Sequence, residues 1–80
     1  MLLKPVTSEK AVKMIEVDNI LLFKTSMIAD KPSIKKEFEK MFGVKVEKIR
    51  TYVRNNEKYA YIKLNRANPA IDVATKLGMI

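Results

Sequence analysis

The chain contains no cysteine and no histidine. Disulfide staples, thiol nucleophiles, imidazole bases and imidazole metal ligands are therefore excluded. Tryptophan is absent, and Gly43 and Gly78 are the only glycines, too few and too far apart for a phosphate-cradling loop. The longest unbroken apolar run, Ile20–Phe23, falls far short of a membrane-spanning helix. Met1–Pro5 is too brief for a secretory signal. The carboxylates are scattered, and Glu37 and Glu39 stand two apart on an expected helix, so they do not face each other. With no catalytic cluster, metal site or cofactor site, the chain reads as a non-enzyme. Zero cysteines fit a reducing compartment, and the expectation is a cytoplasmic protein without membrane insertion.

What is present is a surplus of positive charge. Sixteen Lys and Arg against nine Asp and Glu give +7 and a pI near 9.8. That excess points to a polyanionic partner, nucleic acid first and an acidic membrane surface second. Eighty residues, 48% of them apolar, allow a single domain spanning residues 1–80 around one core. A core of that size supplies roughly 3–5 kcal/mol of net stability, so a bound partner would add much of the rigidity.

The pattern predicts seven elements. Leu2–Val6 reads as a short strand at a sheet edge, because Pro5 cannot donate to a ladder. Thr7 or Ser8 caps a helix over Glu9–Glu16, with Ala11, Met14 and Ile15 as its apolar stripe. Asp18 and Asn19 break the chain before a strand over Ile20–Thr25, apolar on both faces. Asp30 caps the clearest helix, Pro32–Phe42, whose Ile34, Phe38, Met41 and Phe42 form one stripe before Gly43 stops it. Val44–Arg54 follows as a strand whose apolar phase shifts between Val46 and Ile49, the mark of a bulge or a late strand start. A turn over Arg54–Glu57 leads to a strand over Lys58–Asn65, and a short helix over Ala70–Leu77 ends at Gly78. The order β-α-β-α-β-β-α predicts an α+β domain, a mostly antiparallel four-stranded sheet packed with helices, related to the ferredoxin-like arrangement. The stripe Ile34/Phe38/Phe42 is the expected cover for Ile49, Val53, Ile62 and Leu64.

The last two strands sort into unlike faces by the period of the pleat. Ile49, Thr51 and Val53 share one with Ala60, Ile62 and Leu64. Lys48, Arg50, Tyr52 and Arg54 share the other with Tyr59, Tyr61 and Lys63, and no carboxylate is expected there. Cations neutralise phosphates, and tyrosine rings stack on unpaired bases or pack on sugars. Lys and Tyr also suit a merely solvated or edge strand. The missing acids favour RNA.

Several segments are familiar in series. The stretch KPVTSEKA at Lys4–Ala11 resembles the opening of the universal large-subunit ribosomal protein family numbered twenty-three. Ala29–Lys31 with Ile34 and Lys35, and then Phe42–Val46, resemble its central helix and following strand. Thr51 and the stretch KYAYIKL at Lys58–Leu64 resemble its last hairpin, and Ala70–Gly78 resembles the tail of the archaeal branch. Two departures stand out. Tyr59 occupies a position where the family usually has a second basic residue, and the hairpin closes through Arg54–Glu57 without the long tunnel loop of bacterial members. With the basic N-terminal extension of eukaryotic members also missing, an archaeal-type protein is the expectation.

The resemblance implies binding to large-subunit rRNA beside the polypeptide exit tunnel, contact with the neighbouring ribosomal protein numbered twenty-nine, and a docking site for nascent-chain factors such as the signal recognition particle. By match to the family motif, Glu9 falls at that docking surface; read from chemistry alone it is a first-turn helix acid. The residues expected to meet rRNA are Arg50, Tyr52, Arg54, Lys58, Tyr59, Tyr61 and Lys63, with Lys31 and Lys35 beside the central helix start. Two rivals stay open: a free-standing single-stranded RNA binder, echoed faintly by Lys58–Ile62 without the usual glycine, and a protein-interaction adaptor.

Overall fold

A computed structural model describes residues 3–79. The elements are β1 (Lys4–Pro5), α1 (Glu9–Asp18), β2 (Ile20–Thr25), α2 (Lys31–Phe42), β3 (Val46–Arg54), β4 (Glu57–Leu64) and α3 (Ala70–Lys76). One four-stranded sheet runs in the order β1-β2-β4-β3, with every neighbouring pair antiparallel. The expected α+β architecture is borne out. The two-residue β1 carries Pro5 on the sheet edge, where a missing N–H costs least; Leu2 lies outside the described residues.

Local chemistry accounts for the element ends. Ser8 Oγ accepts the Ala11 N–H at 3.2 Å, capping α1. That helix runs two residues past Glu16 and ends where Asn19 turns left-handed at φ 58°. Asp30 accepts the Ser33 N–H at 2.9 Å, and α2 starts with Pro32 in its first turn. Gly43, at φ 62°, closes it. The β3 register shifts between Val46 and Lys48, so the phase break in the sequence is a bulge at Glu47. Asn55 and Asn56 both take positive φ, which lets Arg54 pair directly with Glu57 across a two-residue turn. β4 therefore begins one residue earlier than the sequence suggests.

Leu21, Phe23, Ala60, Ile62 and Leu64 project from β2 and β4 into the core, with Val46 and Ile49 from β3. Ile34 and Phe38 of α2 cover them, Phe38 meeting Phe23 edge-on at 5.5 Å, and Ile15, Ala70, Val73 and Ala74 extend the cluster from α1 and α3. Met41 and Val53, both expected to face the core, lie outside it. Phe42 tilts against Phe38 at 4.7 Å and packs at the end of the α2 stripe, while Met41 is left 58% exposed. Val53, near the hairpin turn, is 57% exposed. Its partner across the strands is Lys58, not an apolar residue.

Asn19 ties the two halves of the chain together. Its side-chain amide donates to the carbonyls of Leu64 at 3.0 Å and of Asn65 and Asn68 at 3.3 Å. Its Oδ1 accepts the Ala70 N–H at 2.6 Å, and its own carbonyl accepts the Leu64 N–H at 3.1 Å. One side chain thus satisfies the end of β4 and the start of α3, whose N-cap is a proline with no side-chain hydrogen bond to give. Asn19→Gly keeps the left-handed backbone and removes only the clasp. It should lower stability by about 2 kcal/mol in urea melts with an unchanged m-value, since stranded partly buried partners cost roughly 1–3 kcal/mol.

Candidate nucleic-acid interface

The sheet face opposite α2 collects side chains from three strands. From β3 come Lys48, Arg50, Tyr52 and Arg54; from β4 come Glu57, Tyr59, Tyr61 and Lys63; from β2 come Ile20, Leu22 and Lys24. Cross-strand register sets Lys48 against Lys63, Arg50 against Tyr61, Tyr52 against Tyr59 and Arg54 against Glu57. On the other side of β4, Leu22 lies against Tyr61 and Lys24 against Tyr59. Like charges directly opposite one another, as in Lys48/Lys63, are unfavourable unless an anion lies over them.

The tyrosines stack on one another. Tyr52 lies between Tyr59 at 5.0 Å and Tyr61 at 5.3 Å, with ring planes within 17° and 26° of parallel. Tyr52 is thereby enclosed on both sides, and burial raises its phenol pKa. The aromatic surface left for a ligand is on the outer rings, Tyr59 and Tyr61. α1 packs on β2 at the border of this face, so that Lys10 and Met14 join Tyr52, Tyr59, Tyr61 and Arg54 around a trough of about 690 Å³.

The expected absence of acid on this face is overturned. Because β4 starts at Glu57, that residue falls in phase with Tyr59 and Tyr61. Its carboxylate takes the Lys24 ammonium at 2.5 Å and accepts the Tyr59 hydroxyl at 2.8 Å. Lys24 chiefly, and Tyr59 after it, hold the Glu57 carboxyl below the ordinary carboxylate value. In return Glu57 raises the Lys24 pKa. Tyr59 is raised first by its bond to Glu57 and then by burial. Lys24 is thus held by Glu57, whereas among the described residues Lys48, Arg50, Arg54 and Lys63 form no ion pair.

The remaining expected contacts are elsewhere. Lys58 has the phase of Ala60 and Ile62, and its ammonium donates to the Ala29 carbonyl at 2.6 Å on the helix side. Lys31 and Lys35 are exposed on α2, on that same side of the sheet. Glu9 is exposed in the first turn of α1. The structure therefore gathers Arg50, Tyr52, Arg54, Tyr59, Tyr61 and Lys63 on one face and separates them from Lys31, Lys35 and Lys58. Lys24, Lys10 and Met14 are not among the contacts expected from the sequence, which places Met14 in the apolar stripe of α1. The sequence marks β2 as apolar on both faces, but not that β4 is its neighbour. Among the described residues no helix is long and apolar enough to cross a membrane, and no group of acids is placed to hold a metal ion.

Fold and face together define a class: a small basic α+β protein with aromatic rings set among cations on one sheet surface. The family model described as ribosomal protein L23 matches residues 1–73. The chain is 44% identical over 78 residues to the large ribosomal subunit protein uL23 of Saccharomyces cerevisiae, and 41% identical over 78 residues to that of Kluyveromyces lactis. Each alignment covers 96% of this chain and 55% of the relative, so the chain spans about half the length of the curated relatives it matches. The chain belongs to the ribosomal protein L23 family, whose members are structural rather than enzymatic.

Glu57 makes stability depend on pH. Its carboxyl is lowered from 4.5 on folding, so its contribution is complete above that value and is lost as pH falls through the lower native one. Lys24 is raised from 10.5, so its share is complete below that value and lost as pH rises through the higher native one. Glu57→Gln should therefore lower Tm most between these limits. Melts at about pH 7 and about pH 3 check this: the gap to the parent protein should shrink at the lower pH.

Proposed function

We propose that residues 1–80 act as one rRNA-binding domain of the large ribosomal subunit, beside the exit of the polypeptide tunnel on the cytoplasmic ribosome. Family membership carries this reading, and the outer sheet face supports it in chemical terms. Arg50 and Arg54 offer planar forks for phosphate, Lys63 a mobile charge, and the tyrosine column a rigid surface for sugar or base. Recognition is of folded RNA shape, with phosphate contacts fixing register. Lys31, Lys35 and Lys58 form a second contact on the helix side, so the RNA must reach both sides of the sheet to engage all nine expected residues. A neighbouring ribosomal protein, the one numbered twenty-nine, adjoins the chain. Glu9, exposed at the start of α1, contributes to a docking surface for nascent-chain factors, the signal recognition particle among them.

The test is charge reversal at two exposed positions. Arg50→Glu with Arg54→Glu should leave the circular dichroism spectrum unchanged and lower incorporation into large subunits on sucrose gradients. For isolated rRNA fragments, the slope of log affinity against log salt should become shallower by roughly 0.7–0.9 for each phosphate that is no longer neutralised. Normal incorporation of the folded double variant would sink the assignment. Glu9→Lys should weaken binding of the signal recognition particle to assembled subunits and leave rRNA association intact. The helix itself should lose only about 0.3–1 kcal/mol from the unfavourable first-turn charge.

A further inference from the structure

The column of tyrosines ends at Tyr61, and a second cavity opens there. One side of the Tyr61 ring is taken by Tyr52. The residue also borders a cleft of about 410 Å³ lined by Met14, Ile20, Lys48, Arg50, Tyr61 and Lys63. Among the described residues no carboxylate lines it. Three cations surround two apolar side chains and one aromatic residue, and Lys48 lies directly opposite Lys63.

Resting on the rRNA reading, we propose that this cleft takes a single unpaired base of the bound RNA, turned out of its helix. The chemistry of the lining selects that ligand over simpler ones. A bare phosphate would use the cations and gain nothing from Met14 or Ile20. A base-paired nucleotide has both faces stacked and cannot present one to a side chain. An extruded nucleotide uses every part: its flat base lies between Tyr61 and Met14, and its flanking phosphates reach Lys48, Arg50 and Lys63. The volume falls in the roughly 300–1,000 Å³ range of small-ligand sites. Tyr61 is also held in place before binding, because Tyr52 supports it from behind. Lys48 and Met14 thereby become binding residues, one from the strand after the bulge and one from α1.

The test compares two labelled hairpin RNAs, one with a single bulged adenosine and one fully paired, titrated with the purified chain by fluorescence anisotropy. The bulged hairpin should bind on the order of tenfold more tightly. Tyr61→Ser should abolish that preference without changing the salt dependence of binding to the paired hairpin, and Tyr61→Phe should retain it. Should Tyr61→Ser fail to fold, Met14→Ser removes the other wall without touching the sheet, and it should lower the preference. Equal tight binding of both hairpins by the parent protein would overturn the base site and leave the RNA-binding reading standing. A preference that survives loss of Tyr61 and of Met14 would also overturn it. Failure to bind either RNA would overturn both readings.

Discussion

Ile62 sits at the centre of the sheet with Leu21 directly opposite on one side and Ile49 directly opposite on the other. This apolar triplet, with Ile34 and Phe38 in the same buried cluster, decides which way every other side chain in the three strands points. A slip of one residue in β4 would carry Ala60, Ile62 and Leu64 to the solvent side and bring Tyr59, Tyr61 and Lys63 under the helices. Burying those polar groups without partners would cost more than so small a core has to spare. The charged outer face is therefore a consequence of the core. Its spacing is as fixed as the packing behind it.

That dependence explains what was legible in the sequence. The stripe Ile34/Phe38 and the alternation in β3 and β4 report burial, the strongest signal a short chain carries, and both faces of the hairpin could be read from it. The bulge was legible too, since Val46 and Ile49 cannot share a face without an extra residue between them. What escaped were consequences of pairing at a distance. That Lys24 would lie beside Tyr59, or α1 beside Tyr61, depends on β2 pairing with β4, which nothing local in Ile20–Thr25 announces. Glu57 was missed for a subtler reason. Four polar residues look like a four-residue loop, but two consecutive asparagines at positive φ make a tighter turn and return Glu57 to the strand. One residue of strand length turned an all-cationic face into one with an internal ion pair.

Glu57 changes the character of the face more than its single charge suggests. By holding Lys24 and the Tyr59 hydroxyl, it fixes one end of the tyrosine column and neutralises the cation that β2 contributes. The free positive charge is displaced toward β3 and the Lys63 end of β4. Rings already stacked on one another lose little freedom when a ligand arrives, which favours affinity through preorganisation. They are also less accommodating than separate platforms, because Tyr52 has no free face to offer. Such a surface is poorly suited to a run of successive single-stranded bases and better suited to a structured RNA that presents one base at a defined place.

On the proposed reading, two kinds of contact have separate duties. Exposed arginines and lysines supply attraction that extends about a Debye length and tolerates errors of position, since any phosphate suffices. A cleft with an aromatic wall and an apolar wall rewards only a base placed correctly to within a fraction of its thickness. Cations alone would hold many RNAs in many registers, and the cleft alone would be slow to find its base. Set side by side on one rigid sheet, the first would, on the proposed reading, gather RNA and the second would select among the arrangements gathered. The closeness of Lys48, Arg50 and Lys63 to Tyr61 follows directly from strand register, so this division of labour rests on the core that Ile62 anchors.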